Sequence, residues 1–378
     1  MTAPDTLYKQ LMELTDTNPA FYFKDFELTP DRFYRIFNYR LASYSDFCLP
    51  GALECRGSMF LVDSEGDYVD LVCRPPKKFF NLNENPFTMN LDLSDPILVM
   101  KKDDGSLMSS YIHCGEIRLK SKGSINSQQA IDAMAFLKTQ PALLADLKYL
   151  AARDFTVNME WTAPWNRIVV GYQKPALVVL SVICNLTGRA FYRSCLEDEG
   201  LAGLMDAWVE DFEYEGDLQH CIKHLVGEEG VVGIASNGVV FKLKSDWYLA
   251  LHRNKDSVSN SKSLIELVLM EQTDDLKTMF VGDELVLTKI AAYEERIGTV
   301  YNSVLGMVQS FHEQNKTASK KDYAIAAKAF WDTQEFPWGF HAQMGCNVGK
   351  DYESLVASMI IRNADKFIIK EFERNVES

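Results

Sequence analysis

The chain predicts an α+β fold in two parts: a domain of antiparallel sheets over about residues 1–252, then an all-helical domain over 253–378. Three observations carry this. Between about residues 55 and 250, short β-like runs alternate with turn signals. After about residue 250 the apolar residues recur every three or four positions, the period of a helix face. Between them lies the polar segment His252 to Ser263, rich in Ser, Asn and Lys, a natural junction. The length of 378 residues also exceeds the roughly 150 of one domain.

In chain order, Ile97 to Met100, then Lys102-Asp103-Asp104-Gly105, then Leu107 to Ile112 has the strand, turn, strand shape of a hairpin. Gln128 to Ala151 reads as one helical interruption of the strands. Ala176 to Cys184 is the longest apolar run; its nine residues fall well short of the roughly 20 a bilayer span requires, so a buried strand is expected. Val231 to Ser236 and Val239 to Lys244 flank Asn237-Gly238, which predicts a second hairpin with a two-residue turn. Ile290, Tyr293, Ile297, Val300, Val304, Val308 and Phe311 describe one face of a long helix. Leu264 to Met270, Tyr323 to Phe330 and Leu355 to Phe372 continue in helical style.

Hydrophobic residues at 47% and charged residues at 24% exclude collagen-like and wholly disordered chains. No signal peptide or membrane anchor is expected, since the N-terminus carries Asp5, Lys9, Glu13 and Asp16 with no apolar stretch between them. Eight cysteines without a C-x-x-C pair predict reduced, packed thiols and a cytoplasmic protein. His220 and His224 have ligand-like spacing, but no second pair accompanies them. Surface histidines are the plainer account.

A net charge of −14 at first argues against nucleic acid as a partner. Its distribution weakens the objection: nine acids and no base lie between Glu197 and Asp217, whereas Lys101, Lys102, Arg118, Lys120 and Lys122 cluster within 22 residues. A local basic surface can grip phosphates on an acidic molecule.

Phosphate loops, dinucleotide fingerprints, nucleophile elbows and H-E-x-x-H motifs are all missing. Lysines on strands and turns stand out instead. Lys102, at the end of an apolar strand, could be a covalent nucleophile if its amine were neutral. At a reference pKa of about 10.4 only about one lysine in a few thousand is neutral at pH 7; nearby cations would lower that value. Lys242 and Lys244 share one face of a strand, with Phe241 and Leu243 on the other. Ammonium groups about 7 Å apart clamp a phosphate, although alternating lysines also blunt sheet edges. Glu160 and Glu229 lie in apolar settings and need partners, which ribose hydroxyls, a magnesium shell or internal salt bridges would supply. Arg56 and Lys78 add cations, the second beside Phe79 and Phe80.

The order K-x-D-G, strand glutamate, E-G and K-x-K resembles the covalent nucleotidyltransferase superfamily, which includes ATP-dependent ligases and messenger-RNA capping enzymes. Longer stretches resemble the tRNA-repairing RNA ligases of T-even bacteriophages, the RNA ligase 1 family. They are Tyr34 to Tyr39, Ala42 to Asp46, Ala52 to Gly57, the thirteen residues Lys78 to Asn90, Lys120 to Ile125 and Lys242 to Tyr248. The match runs from about residue 30 to about 280, and the sequence drifts from the pattern beyond about 310.

This resemblance implies a nucleotidyltransferase domain with ATP-grasp-like antiparallel sheets. It further implies ATP-dependent joining of 5′-phosphate and 3′-hydroxyl RNA ends, with magnesium as cofactor. Lys102 is implied as the residue that takes AMP, Glu160 as the ribose-holding glutamate and Tyr248 as an activity-critical tyrosine. Tyr39, Arg56, Lys78, Phe80, Lys122, Glu229, Lys242 and Lys244 are implied in nucleotide binding, and the pair Asp274 and Asp275 in metal binding. The implied partner is RNA, in particular tRNA cleaved in the anticodon loop and held by the helical domain; neither a membrane nor an obligate protein partner is expected. A DNA ligase or capping guanylyltransferase would use the same lysine but usually appends a β-barrel. A non-catalytic RNA-binding relative is expected to have lost some of these charges.

Overall fold

A computed structural model describes residues 2–166, 169–252, 260–280 and 283–372. The chain divides into two compact units, Met1–Arg40 with Tyr44–Arg253, and Leu41–Ser43 with Asn254–Ser378.

The first unit opens with helix α1 (Pro4–Thr17), whose buried Leu7, Leu11 and Leu14 make one face. Strands β1 (Phe21–Thr29), β2 (Arg32–Tyr39), β3 (Met59–Asp63) and β4 (Tyr68–Cys73) form an antiparallel meander, with the short helix α2 (Tyr44–Phe47) between the second and third. Strand β5 (Phe80–Asn81) and strand β6 (Leu98–Lys102) follow. Strands β7 (Ser106–His113), β8 (Glu116–Lys120), β9 (Phe155–Thr162), β10 (Ala176–Cys184) and β11 (Ala190–Phe191) build a five-stranded sheet ordered β11-β10-β9-β7-β8. Its core is closed by helices α3 (Gln128–Leu137) and α4 (Pro141–Ala151), through Ala133, Leu137, Leu143 and Leu147 against Met108, Val157 and Met159. The segment Gln128 to Ala151 is thus two helices, because Pro141 lacks the N–H a helix interior needs and takes a first-turn position.

After the short helices α5 (Ala202–Asp206) and α6 (Leu218–Lys223), β12 (Gly230–Ile234) and β13 (Val240–Lys244) complete a third sheet ordered β5-β13-β12-β6, and α7 (Asp246–His252) follows. The β12–β13 hairpin closes by a wider turn than Asn237-Gly238 predicts. Gly238 donates to the Ala235 carbonyl at 2.8 Å and Ala235 to Val239 at 2.9 Å. Of the pair only Gly238 has a positive φ, +82°, so the loop is a three-residue turn with glycine in the left-handed position.

The other predicted hairpin does not exist. β6 pairs with β12, placing Lys102 opposite Gly230, whereas β7 pairs with β8 and β9. Lys102-Asp103-Asp104-Gly105 therefore crosses from one sheet to another. Local alternation proposes strand, turn, strand; the partner strand, far along the chain, decides otherwise.

The second unit is helical: Ser261–Leu269, Thr273–Met279, Glu284–Asn315, Lys320–Trp331, Gly339–Asn347 and Tyr352–Arg362. The long third helix buries Ile290, Tyr293, Ile297, Val304, Val308 and Phe311, with Val300 at the margin of the same core. In this core Gln343 is fully buried, accepting from Trp331 Nε1 at 3.2 Å and donating to Tyr323 Oη at 2.6 Å. Most of the expected junction, residues 253–259, lies outside the described residues.

Candidate active site

The row Lys102, Gly230, Lys244 runs across three neighbouring strands. Gly230 has φ +146°, and a Cβ there would lie 2.1 Å from the Leu243 carbonyl oxygen, so only glycine lets the strands meet this way. Glu229, just before it, is 2% exposed and bridges both lysines: Lys102 Nζ at 2.7 Å and Lys244 Nζ at 2.8 Å. A buried carboxylate demands such partners, and removing one side of a buried pair typically costs about 3–5 kcal/mol.

This geometry reverses one expectation. Nearby cations are expected to depress the Lys102 amine; instead the anion Glu229 stands between Lys102 and the cation Lys244. Burial pulls the amine down, but the negative charges of Glu229 and Glu160, with Asp104 behind them, outweigh it and hold Lys102 above its ordinary value. At rest Lys102 is an ammonium ion.

Glu160, on β9 of the other sheet, accepts from the Gly105 amide at 3.1 Å. Burial pushes its carboxyl up to about 7; Lys102 opposes the rise, while Glu229 and Asp103 add to it. Gly105 has no room for a side chain, since a Cβ would sit 2.3 Å from the Trp161 carbonyl oxygen. The sheet crossing is what brings carboxylates from two sheets onto one amine.

Two residues outside the predicted set fix the crossing. Asp104, 2% exposed, accepts from Tyr248 Oη at 2.8 Å and from the Val169 and Val170 amides at 2.6 and 2.8 Å. Tyr172 Oη accepts from the Asp104 amide at 2.8 Å and donates to Asp103 at 3.4 Å. Asp104 was visible inside K-x-D-G; Tyr172 sits 68 residues from its partner and left no sequence signal. Tyr248, buried, also lies under Lys244, whose Nζ is 4.8 Å from the ring centroid.

The remaining predicted residues form a cationic and aromatic array in the same unit. Lys78 Nζ lies 5.1 Å from the ring of Phe80 and 5.6 and 5.7 Å from those of Tyr39 and Phe47. Lys122 Nζ lies 4.5 Å over Tyr39. Phe80 is in turn stacked on Phe87 at 5.4 Å. Arg56 donates to the Pro76 carbonyl at 3.3 Å, and its charge reaches Glu160. Lys242 lies on β13 opposite Val232 and Asn81, and Phe241 and Leu243 are buried on the opposite face. Cations held by rings and carbonyls, flanking a lysine between carboxylates, can grip a polyphosphate and hold its charge.

Asp274 and Asp275 occupy the first turn of Thr273–Met279 in the second unit. Among the described residues no group of three or more His, Cys, Asp or Glu side chains could hold a metal ion. The donor set at Lys102 nevertheless fits magnesium, which usually takes one or two carboxylates plus phosphate oxygens: Glu160 and Glu229 both act on the same amine. His220 and His224 are exposed, with ring centroids 4.3 Å apart and His224 Nδ1 2.8 Å from the His220 carbonyl oxygen, a helix-end contact.

Two sheets meet at this lysine, and the unit that carries it also holds an array of cations suited to phosphates. The chain belongs to the RNA ligase family, whose pattern, described as RNA ligase, matches residues 54–255; that of T4 RNA ligase 1, C-terminal domain, matches 255–372. The family likeness thus continues past residue 310, where the sequence alone suggested drift.

RNA ligase 1 of bacteriophage TS2126 is 26% identical over 270 residues, 69% of this chain and 66% of that protein. A putative bifunctional polynucleotide kinase/RNA ligase of Autographa californica nuclear polyhedrosis virus is 28% identical over 257 residues, 61% of this chain and 35% of that protein. The chain therefore spans just under two thirds of the first and about a third of the second. A solved RNA ligase of Naegleria gruberi, with ATP and Mn, shares 17% identity at a TM-score of 0.38, covering 49% of this chain and 61% of that one.

Proposed function

We propose that this chain is an ATP-dependent RNA ligase that joins a 5′-phosphate to a 3′-hydroxyl, with Lys102 as the nucleophile. The observation that carries the reading is the lysine itself: at a sheet crossing inside the family-matched region, it is ion-paired to Glu229 and lies in the field of Glu160 on the other sheet.

In the first step the Lys102 amine attacks the α-phosphorus of ATP and pyrophosphate leaves. The amine must first give up its proton, because only the free base is nucleophilic. Arg56, Lys78, Lys122, Lys242 and Lys244 hold the phosphates, and such preorganised cations are usually the largest catalytic contribution. Glu160 is the proposed ribose holder, and Tyr248 and Asp104 keep the lysine's turn in place. Glu160 and Glu229 would hold magnesium, which would supply charge neutralisation on the phosphates; Asp274 and Asp275, in the second unit, are proposed separately as metal ligands. The lysine-bound AMP then passes to the RNA 5′-phosphate, and attack by the 3′-hydroxyl forms the phosphodiester and releases AMP.

The proposed natural substrate is tRNA broken in the anticodon loop, recognised by the helical unit, and the proposed location is the cytoplasm. Eight free cysteines suit a reducing compartment.

Incubation with α-labelled ATP and magnesium followed by a denaturing gel tests the chemistry. Wild type should carry label and Lys102→Ala should not; label on the variant removes Lys102 as nucleophile, and an unlabelled wild type removes the reading. Sealing rates on a broken tRNA against a plain single strand test the substrate, with equal rates counting against tRNA.

A further inference from the structure

One buried ion pair of the first unit takes no part in the proposed chemistry. Glu54 and Arg74 are 6% and 1% exposed, and the guanidinium grips the carboxylate as a fork, Nε to Oε2 at 2.9 Å and Nη2 to Oε1 at 2.7 Å. Burial pushes the Glu54 carboxyl up, but Arg74, with Lys77 at 3.2 Å, outweighs it and holds the carboxyl below its ordinary value. Apolar side chains of similar volume would often fill such a space with no loss of stability, or with a gain. What a fork adds is a fixed distance and angle.

Three pieces of chain are fixed by it. Glu54 lies in the segment before β3, where its carbonyl accepts from the Arg56 amide at 2.8 Å. Arg74 follows β4 and leads into Lys78, whose amide donates to the Leu53 carbonyl at 2.7 Å. Between these two segments, the Arg56 guanidinium reaches the Pro76 carbonyl at 3.3 Å. The third piece is the five-stranded sheet. Arg74 Nη1 donates to the Asn185 carbonyl at 2.8 Å, the Arg74 amide donates to Thr156 Oγ1 at 3.0 Å, and that hydroxyl donates to Asn185 Oδ1 at 2.8 Å. Thr156 and Glu160 lie on β9 at even spacing and share one face. The fork thus ties the backbones that carry Arg56 and Lys78 to each other and to the strand that carries Glu160.

We propose that Glu54 and Arg74 are positioning residues for lysyl-AMP formation, acting through Arg56 and Lys78, which they hold in register with Glu160. The assignment rests on the RNA ligase reading above, in which Arg56 and Lys78 hold the phosphates of ATP and Glu160 its ribose.

The test compares the full chain as wild type, as Arg74→Lys and as the apolar pair Glu54→Met with Arg74→Met, each with and without Lys78→Ala. Single-turnover lysyl-AMP formation at subsaturating ATP with magnesium is the readout, with urea unfolding alongside. Arg74→Lys keeps the charge and loses the fork, and the rate should fall about tenfold, within the hundredfold that a displacement of ~1 Å can cost. The apolar pair should unfold close to the wild-type urea concentration and show a similar fall. In both backgrounds Lys78→Ala should cost about threefold less than it costs in wild type, because a cation already out of place has less to lose.

A fork that only stabilises the fold leaves Lys78→Ala costing the same factor in all three backgrounds, and that result overturns the proposal. Wild-type rates in Arg74→Lys and the apolar pair overturn it too, as does unfolding of both, which would make the pair a requirement of the fold alone. A wild type that forms no lysyl-AMP brings down the ligase reading itself, a result distinct from these.

Discussion

Neutralising Glu160 should make the protein more stable at neutral pH. Its carboxyl stands at about 7 in the fold against an ordinary 4.5, chiefly because burial disfavours the charge. A raised carboxyl contributes stability that is fully present below the unfolded value near 4.5 and is lost as pH rises through the folded value near 7. The interval from 4.5 to about 7, at about 1.4 kcal/mol per pH unit, amounts to about 3 kcal/mol. Glu160→Gln keeps an oxygen for the Gly105 amide and cannot ionise. Variant and wild type should therefore be alike near pH 4.5, and the variant should gain on wild type by up to about 3 kcal/mol by pH 7.5. Hydrogen exchange of the β9 amides across a urea series, at several pH values, measures the difference within the unit concerned. In a Lys102→Met background, where the opposing cation is gone, the divergence should be larger. Curves that stay parallel from pH 4.5 to 7.5 would refute the argument, because they would place Glu160 in water.

Lys244→Ala should slow lysyl-AMP formation and move its pH profile to higher pH, because Glu229 then has Lys102 as its sole ion-pair partner of the two; single-turnover rates from pH 6 to 9 show whether it does, and an unmoved profile would separate Lys244 from the proton. Gly230→Ala should destabilise the first unit by roughly 3 kcal/mol or more, since the new methyl meets backbone at 2.1 Å. An unchanged melting temperature would mean that β12 and β13 part easily. Tyr248→Phe leaves the buried Asp104 short of one donor and should cost about 1.5–3 kcal/mol. Urea unfolding reads that loss, and none would show water replacing the hydroxyl.

The helical third was readable because its signal is local: seven apolar residues from Ile290 to Phe311 repeat along one helix that makes its own face. The Asn237-Gly238 hairpin was readable for the same reason, although only the structure distinguishes the three-residue turn from the two-residue one. Helix α1 had a legible stripe in Leu7, Leu11 and Leu14 that went unread. What local pattern could not give was the place of Lys102. Its strand closes against a segment 127 residues later, and alternation in one strand says nothing about which distant strand it joins. The proton state of Lys102 escapes the sequence on the same ground: K-x-K is visible as two cations, whereas Glu229, the anion between Lys102 and Lys244, comes from just before another strand. Tyr172 and its link to Asp104 depend on chain crossings that no spacing encodes. The family resemblance supplied candidate identities without supplying their geometry.

The β12–β13 hairpin has its ion-paired row at the open end, Gly230 beside Lys244, and its turn at Ala235 to Val239. Five residues of strand put roughly 15 Å between the two ends. Extra residues spliced into the Asn237-Gly238 tip would lengthen the loop without altering the pairing of the other end, since loop closure penalties grow only slowly with length. That tip is therefore a natural place to graft a dye or an affinity handle onto this protein, whereas a single residue added inside β12 would turn every side chain beyond it to the opposite face.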